Sequence, residues 1–220
     1  MPAPRLILLG PPGAGKGTQA KRLAERWNWR HIATGDLFRD AVRKESPLGK
    51  QVKPILEAGG LVSNELVVGL VRETLAEEIG ADRGIIFDGF PRTLPQAIAL
   101  DEFLMQYNQS ITTVVLINTG DDIVVHRVAQ RRSCEDCGAI FNLMHKPPAR
   151  PGRCDACGGK LYQRADDREA TVRARQRKYW SETAPLIEFY RTRGLLTEIP
   201  GDLPLDVVTA SVERAVSGRR

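Results

Sequence analysis

Two kinds of hydrophobic pattern alternate along this chain. Leu6-Ile7-Leu8-Leu9 is a continuous apolar run, too short for a helix and closed by glycine, and it predicts a buried strand. Behind it Ala20, Leu23, Ala24 and Trp27 recur at helical spacing, with Lys21, Arg22, Glu25 and Arg26 on the wet side, which predicts an amphipathic helix. Arg30 to Ala33 reads as a second, short strand. Thr34-Gly35-Asp36 reads as a turn, with Asp36 capping a helix that enters at Leu37. Leu48, Val52, Ile55 and Leu56 predict another helix, stopped by Gly59-Gly60. Ser63-Asn64 can cap the one after it, whose apolar face is Leu66, Val67, Leu70, Val71 and Leu75.

The alternation continues. Gly84 to Asp88 predicts a buried strand ending in a carboxylate, followed by the turn Gly89-Phe90-Pro91-Arg92. Thr93 to Tyr107 predicts a helix that tolerates Pro95 in its first turn. Thr113 to Ile117 is the clearest β-branched strand, and Asp121 to Arg132 a helix closing on Arg131-Arg132. From Ser133 to about Asp167 the period is lost among cysteines, prolines and glycines, as expected of an inserted subdomain. A helical pattern returns from Glu169 to Arg193, bent at Pro185, and is followed by a strand at Leu195 to Ile199 and a helix at Leu205 to Ser217. Strands alternating with helices predict an α/β fold with a parallel sheet flanked by helices on both faces. In such sheets ligands gather outside the carboxyl ends of the strands, where the loops after Leu9 and Asp88 both lie.

Composition narrows the class. At 220 residues, 42% hydrophobic and 27% charged, the chain suits one soluble domain carrying an insert. No apolar run approaches the eighteen or so residues of a membrane span, and the N-terminal run lacks the features of a secretory signal, so a cytoplasmic protein without a membrane partner is expected. A net charge of +5 is compatible with nucleic acid and with small anions such as nucleotides, and does not separate them.

The chemistry is concentrated in two places. Between the first strand and first helix lies Gly10-Pro11-Pro12-Gly13-Ala14-Gly15-Lys16-Gly17-Thr18. Its glycines let successive backbone N–H groups turn inward beside the positive end of the helix, and Lys16 adds a charge for β- and γ-phosphates. An ordinary glycine-rich turn is the plainer alternative. Gly17 stands where a magnesium-binding Ser or Thr follows the lysine in the general pattern, so Mg2+ is expected to rest mainly on nucleotide phosphates and water, with a carboxylate such as Asp88 touching it through water. In the insert, Cys134-x-x-Cys137 and Cys154-x-x-Cys157 stand sixteen residues apart with glycine after each pair, the spacing of two knuckles on one structural Zn2+. A disulfide framework would need an oxidising compartment that nothing else indicates. His145 is unnecessary as a ligand beside four cysteines.

Taken in order, the phosphate loop, Thr34-Gly35-Asp36, Asp88 to Arg92 with Gln96, Arg131-Arg132 and Gln163 to Asp167 resemble the adenylate kinases, of the long bacterial kind with a four-cysteine zinc lid, over nearly the whole chain. The resemblance implies a P-loop NTPase fold with a five-stranded parallel sheet, in a single kinase domain over 1–220. Within it, residues 33–62 would be the monophosphate-binding segment and residues 130–167 the zinc-binding lid. It implies the reaction of ATP with AMP to give two ADP. Gly13, Ala14, Gly15, Lys16, Gly17 and Thr18 match the ATP phosphate cradle, with Arg127, Arg131, Ile140, Phe141 and Leu203 as further ATP contacts. Leu203 replaces a lysine or glutamine common there. Thr34, Gly35, Arg39, Gly60, Leu61, Val62, Gly89, Phe90, Pro91, Arg92 and Gln96 match AMP-binding positions, and Arg164 and Arg175 match arginines that meet the phosphates.

Residue chemistry reaches the same place independently. Joining two anions is a matter of positioning and of neutralising charge, for which Lys16, Arg92, Arg131, Arg164 and Arg175 are the expected catalytic groups. The nucleophile is already an ionised phosphate oxygen, and His31, His126 and His145 offer no candidate base. Gln96 carries an amide that complements the donor–acceptor edge of adenine. Any single arginine also reads as a solvated surface residue, and Asp166 and Asp167 read as hinge residues paired with arginines. Two rivals stay open: a kinase of the same fold acting on UMP, CMP or GMP, and a zinc-ribbon ATPase that binds nucleic acid, against which the 6% aromatic content speaks. No exposed heptad calls for a partner chain, so a monomer is expected.

Overall fold

Every residue of the first strand is buried, because that strand is the middle of a sheet covered on both faces. The computed structural model describes residues 3–81 and 83–218, so positions 1, 2, 82, 219 and 220 of the expected 1–220 domain lie outside it. In chain order the elements are β1 (Arg5–Leu9), α1 (Lys16–Trp27), β2 (Arg30–Ala33), α2 (Thr34–Arg43), α3 (Pro47–Glu57), α4 (Asn64–Glu78), β3 (Ile85–Asp88), α5 (Leu94–Met105), β4 (Thr113–Asn118) and α6 (Asp121–Ala129). There follow β5 (Arg131–Cys134), β6 (Ile140–Asn142), β7 (Leu161–Tyr162), α7 (Glu169–Lys178), α8 (Pro185–Thr192), β8 (Leu196–Pro200) and α9 (Leu205–Ser217).

The main sheet is five-stranded and parallel, in the order β2-β3-β1-β4-β8. Alternate residues of β1 serve opposite cores: Ile7 and Leu9 join Phe87, Val114, Leu75, Leu100 and Leu186, while Leu6 and Leu8 join Ile86, Val115, Leu23 and Val212. That is why the strand reads as an unbroken apolar run rather than an alternation. The chain builds β2 and β3 on one side of β1 and then crosses to β4 on the other. The carboxyl end of β1 is therefore a topological switch point, flanked by the loops after β1 and β3.

The structure corrects several local expectations. Asp36 is not the cap of α2: the helix begins at Thr34 behind Ala33, which places Asp36 in its first turn. The helix expected to run to Arg132 ends at Ala129, and Arg131-Arg132 open β5. The insert is not irregular throughout, since β5 pairs antiparallel with both β6 and β7. The helical run expected from Glu169 to Arg193 is interrupted before Pro185 by a π-helical turn at Tyr179–Thr183, and Pro185 simply starts α8, where its missing N–H costs nothing. Ser63 does cap α4, accepting from the Leu66 amide at 3.5 Å.

Candidate functional site

The loop after β1 is held by contact. A Cβ on Gly10 (φ +141°) would lie 2.4 Å from the Ile117 carbonyl oxygen, and one on Gly13 (φ +85°) 2.5 Å from Val128 Cγ2, so neither position admits a side chain. Gly15 sits at the N-cap of α1 in a left-handed conformation and, having no side chain, caps nothing, which leaves the first amides of the helix facing the cleft. Lys16 Nζ donates to the carbonyls of Gly10 at 2.7 Å and Pro11 at 2.8 Å. Burial lowers its pKa to about 8, with Arg92, Arg175 and Arg131 adding to the effect and Asp88 opposing it. Ala14 is buried against the core and Thr18 is exposed at the start of α1.

Asp88 ends β3 beside this loop, and a Cβ on Gly17 would come within 3.1 Å of its Oδ2. Burial alone would raise its pKa, but the contact with His31 Nε2 at 3.4 Å and the charge of Lys16 outweigh it and hold the carboxylate ionised below its usual range. His31, set aside in the sequence, thus shares the neighbourhood of the phosphate loop through the pairing of β2 with β3.

Two adjoining cavities open at the switch point. The larger, about 540 Å³, is lined by Gly10, Lys16, Leu61, Arg92, Arg175 and Tyr179 among others. The second, about 340 Å³, is lined by Thr34, Gly35, Gly60, Leu61, Val62, Gly89, Arg92 and Gln96. Eight of the expected AMP positions therefore share one hollow, Pro91 and Arg175 line the larger cavity instead, and Arg39, Phe90 and Arg164 line neither. Arg92 donates from Nε to the Gly89 carbonyl at 2.8 Å, where Thr34 Oγ1 also donates at 2.9 Å. Phe90 and Pro91 are buried, Phe90 within the main core. Arg39 reaches back to Asp36 at 2.6 Å. Gln96 is 1% exposed: its Oε1 accepts from the Arg92 amide at 2.8 Å and its Nε2 donates to Asn64 Oδ1 at 2.9 Å.

The lid arginines are held by carboxylates at the stem of the insert. Arg131 makes a two-point contact with Asp167, whose side chain is completely buried, and this outweighs the cost of burial so that the Arg131 pKa is raised. Arg175 donates to Asp166 Oδ2 at 2.7 Å; burial still lowers it to about 10, helped by Arg131 and Arg92. Arg164, 7% exposed, is also lowered to about 10, by burial first and then by Arg39 and Arg131, and among the described residues its buried Nε has no hydrogen-bond partner. The hinge reading of Asp166 and Asp167 describes their contacts well.

Other expected ATP positions are more scattered. Arg127 donates to the Gly201 carbonyl at 2.8 Å, tying α6 to the segment before Leu203, which is exposed. Ile140 is half-buried. Phe141 is inside the insert, beneath Lys146, with the cysteines and Leu161 around it.

The segment of α2 and α3 touches both the insert and α7. Arg43 of α2 donates to the Asp136 carbonyl in the first cysteine knuckle at 3.1 Å. A Cβ on Gly59 would lie 2.8 Å from Arg175 Cγ, so the loop after α3 packs directly on α7.

The four cysteine sulfurs lie within 4.8 Å of one another, with Cys134 and Cys157 at 3.4 Å and Cys137 and Cys154 at 3.6 Å. Thiolate–zinc bonds of about 2.3 Å in a tetrahedron give a sulfur–sulfur edge of about 3.8 Å, so this set fits a single metal ion with no place left for water. The knuckles are near copies: Gly138 N donates to the Cys134 carbonyl and Gly158 N to the Cys154 carbonyl, with φ +71° and +76° at the two glycines. The Cys137 amide leads in holding the Cys134 thiol down to about 7. At Cys157 the Gly159 amide pulls the same way, but the sulfurs of Cys137 and Cys134 outweigh it and push the thiol up to about 12.

Sequence reasoning missed Asn64 as anything beyond a helix start, and missed Tyr179, Lys178 and Thr183 as cavity lining. Tyr179 and Thr183 lie on the π-helical turn. Such turns leave no periodic signal, although a helical run that has to bend around a site is a hint of one.

Similarity to known proteins agrees with this geometry. A family model described as adenylate kinase matches residues 8–195. The adenylate kinase of Archaeoglobus fulgidus is 47% identical over 208 residues, covering 94% of this chain and 95% of that protein. That of Moorella thermoacetica is 46% identical over 212 residues, 96% of this chain and 97% of the relative. That of Syntrophotalea carbinolica is 49% identical over 197 residues, 90% and 91% of the two chains. With the matched span running from β1 through both covers to the end of α8, the chain belongs to the adenylate kinase family, enzymes that transfer a phosphoryl group between adenine nucleotides.

Proposed function

We propose that this chain catalyses ATP + AMP ⇌ 2 ADP by direct in-line transfer. In this reading the phosphates of ATP rest on Gly13 to Thr18, and AMP lies in the hollow of Thr34, Gly35, Gly60 to Val62, Gly89, Arg92 and Gln96, with Phe90 and Pro91 completing the turn between Gly89 and Arg92. Arg39, Arg92, Arg164 and Arg175 meet the monophosphate and the transferred group, while Arg127 and Arg131 serve ATP with the backbone near Ile140-Phe141 and Leu203. Planar guanidinium forks suit phosphate oxygens, and an ionised phosphate nucleophile needs no base.

The observation that carries this reading is that Lys16, Arg92 and Arg175, from separate parts of the chain, line one cavity beside the phosphate loop, where burial first and then the arginines lower the Lys16 pKa to about 8. So much positive charge packed against a lysine is unfavourable until polyanions complete it. Mg2+ arriving with ATP would neutralise β- and γ-phosphate oxygens, and Asp88, kept ionised by His31 and Lys16, is the carboxylate placed to meet its water shell. Zn2+ at Cys134, Cys137, Cys154 and Cys157 would staple the lid and take no part in chemistry. Segments 33–62 and 130–167 close over the two nucleotides, assemble the arginines and exclude water. The substrates are free nucleotides, so the chain is proposed to act as a cytoplasmic monomer. Among the described residues no helix is long and apolar enough to cross a membrane.

Initial rates of ADP formation from ATP with AMP, UMP, CMP and GMP test the proposal, beside a filter-binding assay with single-stranded RNA. AMP is expected to be the fastest acceptor and RNA to bind no better than a basic control protein. Equal rates with UMP or CMP, or tight RNA binding without ADP formation, would overturn it.

A further inference from the structure

The amide of Gln96 has lost the freedom to turn over. Its side chain lines the monophosphate hollow, and each end of the amide holds one protein partner: Oε1 accepts from the Arg92 backbone N–H at 2.8 Å, and Nε2 donates to Asn64 Oδ1 at 2.9 Å. A backbone N–H can only donate, so the end of Gln96 facing Arg92 has to be oxygen. The other end is fixed by a longer chain. Thr93 caps α5, its Oγ1 accepting from the Gln96 backbone N–H at 3.4 Å, so its hydroxyl proton is free to be given elsewhere. It goes to Asn64 Oδ1 at 2.9 Å. In that arrangement the Asn64 oxygen receives both the Thr93 hydroxyl and Gln96 Nε2; the hydroxyl could also accept from a turned Asn64 amide, but its own proton would then lose its acceptor.

We infer that Asn64, held by the Thr93 hydroxyl, is a specificity-determining positioning residue that locks the Gln96 amide in the orientation that reads adenine and rejects bases with the inverted edge. The inference rests on the assignment of Gln96 to the AMP base. An amide oxygen has two lone pairs and an NH2 group two protons, so one acceptor and one donor position of Gln96 remain for a ligand. Adenine presents a ring-nitrogen acceptor and an exocyclic amino donor to such a pair. Hypoxanthine and guanine present an N–H donor and a carbonyl acceptor at the same places, and would be met by the amide turned through 180°. Turning it sets NH2 against the Arg92 N–H, and it either brings oxygen against the Asn64 oxygen or forces the Asn64 amide to turn as well, which strands the Thr93 hydroxyl proton, all inside a site only 1% exposed at Gln96.

The test compares kcat/KM for AMP and for IMP, which has the same ring skeleton and an inverted edge, in the full-length enzyme and in N64L, N64D and Q96L. A well-made two-point contact discriminates by about 1–3 kcal/mol, so wild type should prefer AMP by about 10- to 100-fold. N64L removes one of the two locks and should lower that ratio about tenfold. N64D keeps an acceptor at the same place and should restore the ratio to within about twofold, which a purely structural role for Asn64 would not do. If melting curves show N64L unfolded, N64A takes its place with the same expectation. A wild-type ratio in N64L alongside a collapsed ratio in Q96L would overturn the lock while leaving Gln96 as the base reader. A wild-type ratio in Q96L would overturn the assignment of Gln96 itself.

Discussion

The two covers over the cleft are held together in different ways. The cover of α2 and α3 contributes Phe38, Val52 and Val62 to the same continuous core as the main sheet, so it is an extension of the domain's interior. The insert after α6 has only Cys134, Phe141, Cys154 and Leu161 in a core of its own, and strands of two to four residues. So small an apolar cluster does not hold a segment of this length by itself, and a metal ion on the four thiols would supply what burial cannot. One segment therefore depends on hydrophobic packing, while the other has a four-cysteine cluster that could hold a metal ion and the Arg131–Asp167 and Arg175–Asp166 pairs at its stem.

The largest effect that sharpens this contrast lies within the stem. Arg164→Ala removes a charge whose buried Nε has no partner among the described residues, so turnover should fall about 10²- to 10³-fold while the thermal midpoint stays or rises. Arg131→Ala should lose turnover similarly but also destabilise by about 3 kcal/mol, because Asp167 is left buried with only the longer 3.9 Å contact to Arg175. Steady-state rates and melting curves on the two variants decide the matter. If Arg164→Ala costs as much stability as Arg131→Ala, the distinction between working and tethering arginines is wrong.

Next in size is the metal. Cys154→Ser, or chelation under mild conditions, should raise amide exchange throughout residues 130–167 and cut turnover by about 10- to 100-fold, while exchange in α3 stays as in the intact protein. Metal analysis should return one Zn2+ per chain, and protein free of metal would contradict the assignment. The opposite perturbation is Val52→Ala, at a fully buried position of α3. It should cost about 2 kcal/mol and lower the midpoint of the whole domain by about 4–8 °C, because that cover unfolds with the body. Loss of α3 alone, with the sheet still protected, would break the comparison.

The smallest effect concerns Lys16, which belongs to neither cover. With its pKa near 8, kcat/KM for ATP in the free enzyme should drop about threefold between pH 7.5 and 8.5, while kcat at saturation holds to higher pH because bound phosphate restores the proton. The stability of the unliganded protein should carry the opposite sign. The unfolded chain binds this proton more tightly between about 8 and 10.5, so the contribution of Lys16 to stability rises across that window.

The same contrast explains what could be read from the sequence. Central strands such as Leu6 to Leu9 and Thr113 to Ile117 are buried on both faces, so they announce themselves as apolar runs, and the parallel sheet followed from them. The cysteine spacing was legible because metal geometry constrains sequence locally. The small sheet of the insert was not, since β7 is two residues long and Arg131-Arg132 continue a helical run without any stop signal. Asn64, Thr93 and Gln96 are joined by hydrogen bonds across the ends of two helices, 29 and 32 residues apart in the chain, and no periodicity carries such a contact. Asp36 looked like a cap because its residue type favours one, but the N-terminal edge of α2 was set by β2 pairing through Ala33 instead.

Direct transfer between two bound nucleotides is tested most plainly by counting products. Purified enzyme with Mg2+ and ATP should release almost no inorganic phosphate alone. On adding AMP it should form two ADP for each ATP consumed, still without phosphate. Steady phosphate release that is indifferent to AMP would mean that the arginine-lined cleft delivers the γ-phosphoryl group to water, and the account would fail.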